Sequence, residues 1–348
     1  MYRSITQHKK KSMVFALLGA VLAFTIFYYL FTRITWGQVM AVWRAIDARW
    51  VAGFIVLTLL HQVARTWRYR GVLLAMGEKT GWGRLFLTVL VRGVCVDMLP
   101  ARTGELVYIY ILRTRLGVEL GAATASFALV FLFDILALAP LMVLALSLVV
   151  IGAEVEFSAP ALLAIGAGLF VVAGFLISGL PLLVRMAFRV SGWTLPRGGL
   201  RQWVRRLLAS THHQIYRAQV HGVYVRVFMQ SVLVRILKYT ALYALLLAMV
   251  LPQGYALAEW PLHKVFLGLT AAEMAASLPV SGVLGFGAYQ GAWTLVFVLL
   301  GFPVEMAQIT SISHHLFTQV YGYLLGLAAL GGLMMLRPVT GAARPRAG

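Results

Sequence analysis

Acidic residues are scarce in this 348-residue chain. Eleven Asp and Glu stand against thirty Lys and Arg, and the four types together make up 12% of the residues. A soluble domain carries about 25%. With 61% hydrophobic residues, the composition excludes a soluble protein and defines an integral membrane protein with one membrane domain over 1–348. Cysteine is almost missing. The single Cys95 excludes an internal disulfide and a cysteine-cluster metal site. No P-loop and no zincin motif is present, nor a serine, histidine and aspartate on a recognisable elbow. His314 and His315 lack companions for a metal, so no metal or cofactor is expected, and an enzyme is not. The net charge of +19 would suggest nucleic acid in a soluble protein. Here no soluble basic fold carries it, so no nucleic acid is expected. The bases are read as cytoplasmic loops that meet anionic headgroups.

A small-residue cleavage site is also missing. The apolar run 13–32 is followed by Thr32-Arg33-Ile34-Thr35-Trp36, so it reads as an uncleaved first helix. Further spans are predicted over 50–64, 121–150, 159–184, 228–251 and 309–336. The stretches between them divide by charge. Residues 65–84 hold Arg65, Arg68, Arg70, Lys79 and Arg84, and residues 185–226 hold eight arginines. The loops 151–158, 252–262 and 302–308 carry acids and no Lys or Arg, while the linker 33–49, placed outside with three arginines, is the exception. Positive loops stay inside, which places both termini in the cytoplasm. Within 198–226 a stripe of Leu200, Trp203, Val204, Leu207, Leu208, Thr211 and Ile215 predicts an amphipathic helix on the anionic inner leaflet.

Two segments do not read as simple spans. The run 85–112 is broken by Leu99-Pro100-Ala101-Arg102-Thr103-Gly104-Glu105. The run 264–301 is broken by Leu278-Pro279-Val280-Ser281-Gly282 and the glycines that follow. Each flank falls short of the ~20 residues of a span. The charge rule makes the first begin and end inside and the second begin and end outside. The fold expected is all-α and polytopic: about six full spans plus two opposed re-entrant hairpins. The order span, hairpin, span occurs over about 50–150 and again, inverted, over about 228–336, a transporter architecture.

Charges at such depth need partners. Asp97, Arg102, Glu105, Asp134 and Glu273 would together cost about 12–18 kcal/mol unpaired, as much as the whole stability of a domain. Arg102 is spaced to pair with Glu105. Asp134 is offered Arg102 or Arg92, and Arg92 is alternatively a snorkelling residue. Arg235 and Lys238 snorkel or extend a basic path for a headgroup. Arg102 beside broken helix ends suits a phosphate; the competing reading is a staple at the hairpin tip. The expected substrate-binding set is Arg102, Glu105, Asp97 and Asp134, facing Ser281, Gly285, Tyr289 and Gln290, with Glu273 a weaker member.

The stretch from Leu99 to Glu105, Asp134, and the stretch from Leu278 to Gln290 resemble the transmembrane region of lysylphosphatidylglycerol synthases and their flippase-like relatives. The likeness implies movement of a lipid, commonly one with a charged or glycosylated headgroup, between leaflets. The family usually has an arginine where Tyr108 stands, a glutamate at Gln290 and a basic residue at Phe131. The aminoacyl-transferase domain of the synthases is not expected here. Two other classes stay open: a polyprenyl-diphosphate phosphatase-like enzyme and a non-transporting scaffold.

Overall fold

The computed structural model describes residues 36–98, 104–152, 198–220, 222–277 and 287–336, with Gly179, Met186 and Arg189. Among them there are helices and no strand. The helices are α1 (Trp36–Arg44), α2 (Ala48–Ala75), α3 (Trp82–Met98), α4 (Gly104–Leu116), α5 (Leu120–Gly152), α6 (Gly199–Val220), α7 (Val223–Val250), α8 (Leu262–Ala276), α9 (Ala288–Leu299) and α10 (Val304–Met335). The spans expected over 13–32 and 159–184 lie outside the described residues, Gly179 apart. Among the described residues three helices are long and apolar enough to cross a membrane: α5, α7 with the turn after it, and α10.

α2 runs well past the boundary expected at residue 64. Tyr69, Val72, Leu73 and Met76 follow one another at helical spacing and are buried, so the apolar stripe carries the helix through its arginines. The chain turns only at Gly77, whose φ of 87° suits a residue without a Cβ. Arg65, Arg68 and Arg70 therefore stand on a helix, not in a loop.

The two interrupted runs are antiparallel helical hairpins. α3 and α4 have 17 and 13 residues, about 25 and 20 Å of helix, each short of a ~30 Å hydrocarbon core. At the start of α4, Gly104 lies against the α3 backbone at Cys95, with no room for a Cβ. In the second hairpin the start of α8 meets the end of α9, where Lys264 Nζ donates to the Leu300 carbonyl at 3.2 Å. Gly268 lies against the Phe297 ring. α9 begins after Gly287, at φ 95°.

The described residues divide into two units. Unit 1 takes those up to Leu57, within Gly93–Gly104 and within Tyr239–Leu324. Its core joins Val39, Val42 and Phe54 to Leu245, Met249, Ile309 and Ile312. Asp47 N–H donates to the Ala248 carbonyl at 3.0 Å. Unit 2 takes Thr58–Arg92, Glu105–Lys238 and those from Leu325 on. In it α6 packs on the start of α5. Glu119 accepts from Ser210 Oγ at 2.5 Å and Gln214 Nε2 at 3.0 Å, and Gly121 leaves room for Ser210. Arg217 donates to the Met76 carbonyl at 3.2 Å. The amphipathic helix is thus present, but its stripe divides. Thr211 and Ile215 are buried in the protein, while Trp203 remains half-exposed.

Candidate functional site

Among its described residues, unit 2 holds two arginine–carboxylate pairs. Arg68, on α2, is fully buried. Its Nη1 donates to Asp134 Oδ1 at 2.5 Å and to Ser231 Oγ at 2.7 Å, and its Nη2 to Asp134 Oδ2 at 3.2 Å. Three helices, α2, α5 and α7, meet at that guanidinium. One turn after Ser231, Arg235 Nε donates to the Asp134 carbonyl at 3.2 Å. In the second pair Arg92, on α3, holds Glu105 at the start of α4. Its Nε and Nη2 each donate to one carboxylate oxygen at 2.5 Å. Both partners are buried.

Both pairs have the two-pronged geometry that makes arginine the strongest match for a carboxylate. The Tyr69 ring connects them. Its centroid lies 5.9 Å from the Arg68 guanidinium carbon and 5.7 Å from that of Arg92, within reach of a cation–π attraction. Tyr69 packs on Tyr108 at 4.8 Å, and the Tyr108 hydroxyl meets Ser126 Oγ at 3.2 Å. The polar surface of the cluster is not all used. Arg68 Nε and the Tyr69 hydroxyl are buried with no hydrogen-bond partner among the described residues.

Unit 1 holds a second polar group, built on α9 and α10. The Gln290 amide is buried. Its Oε1 accepts the Gly287 N–H at 2.8 Å, which fixes its Nε2 toward His315 Nδ1, also at 2.8 Å. Nδ1 is therefore an acceptor, and a neutral ring carries its proton on Nε2. Gln319 lies 3.0 Å from Nε2 and must present its oxygen there, an amide orientation assigned from the network. The Tyr289 ring stacks on His315 at 4.2 Å. His314 Nε2 donates to the Leu242 carbonyl at 3.0 Å. Glu273 accepts from the Tyr239 hydroxyl at 3.1 Å.

The expected site residues thus fall as follows. Glu105 and Asp134 belong to the cluster of unit 2, and Tyr289 and Gln290 to the polar group of unit 1. Arg102, Ser281 and Gly285 lie outside the described residues. Asp97 is on the last turn of α3, with its side chain outside them. The arginine bonded to Glu105 is Arg92, which pairs instead of snorkelling, and the one bonded to Asp134 is Arg68. Sequence reasoning put Arg68 in a basic cytoplasmic loop. The helical spacing of Tyr69, Val72, Leu73 and Met76 was the signal that could have placed it. Among the described residues no group of three His, Cys, Asp or Glu could hold a metal.

Long apolar helices, two helical hairpins and arginine–carboxylate pairs buried within helical packing define a helical membrane protein with charges at depth. The family profile of the lysylphosphatidylglycerol synthase TM region matches residues 16–326, and the chain belongs to that family. No curated protein matches the sequence.

Proposed function

We propose that this protein is a carrier, not an enzyme, that moves a phosphate-bearing or glycosylated lipid between the leaflets of a bacterial inner membrane. Family membership supports lipid handling. The observation that carries the reading is the buried Arg92–Glu105 pair where α4 begins, in a hairpin too short to span. Buried ion pairs are a poor way to gain stability, because apolar residues of the same volume serve as well or better. Charges kept at membrane depth mark substrate paths. Arg102, in the five residues that join α3 to α4, would meet the headgroup phosphate, while Glu105 and Asp134 hold the surrounding arginines in place.

The finer architecture belongs to the same reading. The charge of the loops supports six spans and two re-entrant hairpins as an inverted repeat. The exposed side of α6, with Trp203, Arg206 and Tyr216, suits the anionic inner leaflet.

A leaflet-accessibility assay on reconstituted vesicles containing a labelled phospholipid tests the function. Arg102→Ala should abolish movement of the label and leave thermal stability unchanged. Arg92→Glu with Glu105→Arg, which restores the pair in reverse, should fold and fail to transport. Full transport by either variant would make these residues staples and remove the proposed path.

A further inference from the structure

The start of α3, the end of α4 and the end of α10 come together at one edge of unit 2. Arg115, in the last turn of α4, donates from Nη1 to the Leu336 carbonyl at 3.4 Å. Gly332 on α10 faces the Leu87 side chain on α3. Beside these contacts lies an open groove of about 500 Å³, lined by Gly81, Gly83, Arg84, Phe86, Leu87 and Leu336. Two glycines keep it clear: a Cβ at Gly81 or Gly83 would meet nothing within 4 Å.

The lining is apolar except for one cation. Arg84 has no carboxylate partner among the described residues, and no acid lines the groove. Arg84 also stands in the first turn of α3, which holds no acid, where the helix dipole is already positive. The charge at the mouth of the groove therefore favours an anion. The apolar side continues onto the surface. Trp82 stacks on Phe86 at 5.0 Å, and Trp82, Met334, Met335 and Leu336 are exposed. In a membrane protein such a patch is covered by lipid tails, and tryptophan and arginine beside it mark the level where tails give way to headgroups.

We propose that this groove binds a phospholipid held as a resident part of the protein. One acyl chain lies over Phe86, Leu87 and Leu336, and the phosphate sits on Arg84. A soluble anion fits less well, because apart from one cation the lining offers it only apolar surface. Nor is the lipid cargo on the proposed path. α3 has 17 residues, so the groove and the linker that holds Arg102 stand at its two ends, about 25 Å apart. The bound lipid fastens the end of α10 to the base of the first hairpin. The inference rests on the chain being embedded in a membrane, not on lipid movement.

The test is thermal unfolding of the full chain in a neutral detergent, with lipid added. A ligand of the folded state raises the midpoint as its concentration increases. Dioleoylphosphatidylglycerol should raise it. Dioleoylglycerol, which has the chains without the phosphate, should not, and neither should inorganic phosphate. Arg84→Gln should lose most of the rise. Gly83→Trp should fold, since its side chain enters open space, and should lose the rise by filling the groove. Arg206→Gln, on exposed α6, should keep it. No rise with the phospholipid, or an equal rise with dioleoylglycerol or with inorganic phosphate, overturns the proposal. A rise retained in both Arg84→Gln and Gly83→Trp, or lost only in Arg206→Gln, places binding elsewhere and overturns it too. Leaflet exchange is not measured, so the carrier reading is decided separately.

Discussion

Arg68 and Asp134 each depend on the other to be tolerable in the fold. Removing one partner of a buried pair leaves an uncompensated charge and costs about 3–5 kcal/mol. Arg68→Met alone and Asp134→Asn alone should therefore each lower the unfolding midpoint strongly. Arg68→Met with Asp134→Leu, which removes both charges, should recover much of the loss. Unfolding of the three variants side by side in detergent checks this; additive losses would mean that the two residues do not act as a pair. At this scale the sequence was partly legible. That charges in apolar runs need partners could be argued from cost, and Glu105 and Asp134 were found that way. The partners could not, because pairing across 66 residues is fixed by tertiary packing and leaves no local trace. Tyr108 and Gln290 are buried on neutral partners, Ser126 and His315.

The elements depend on close approach at a few glycines. Gly104 has the Cys95 backbone where a Cβ would stand, and backbone cannot swing aside. Gly121 instead faces the side chain of Ser210. Gly104→Ala should push α4 off α3 and disturb the Arg92–Glu105 pair, with no side-chain change to rescue it. Gly121→Ala should loosen α6 from α5, and Ser210→Gly should relieve it. Protease sensitivity of the segment around α6, with the midpoint of unfolding, separates the two cases. Helix ends were legible where a strong breaker stands, as near Pro100 and Pro279. They were not where charge was taken for a boundary: α2 carries three arginines past residue 64 because its apolar stripe continues.

For the whole molecule, the loop charges predict which surfaces face the cytoplasm. In a Cys95→Ser background, cysteines introduced at the exposed positions Gly152, Gln253 and Gly198 report it. Those at 152 and 253 should react with an impermeant reagent in intact cells, and that at 198 only after the membrane is opened. Reaction at 198 in intact cells would invert the topology. The all-helical class and the two interrupted runs were legible from composition and from proline and glycine placement. The division of the chain into two units was not, since it groups residues far apart in sequence.

The two ion pairs differ in how much chain they enclose. Arg92 and Glu105 are thirteen residues apart, while Arg68 and Asp134 are separated by 66. Closing the longer loop costs about 1.4 kcal/mol more in chain entropy, and it requires α5 to have been made. During synthesis the hairpin can therefore pair Arg92 with Glu105 as it emerges, before α5 has been made. Arg68 has no such option. It must wait, as a bare cation near the end of α2, until Asp134 leaves the ribosome, which makes the arrival of α5 the step at which biogenesis is most exposed to failure.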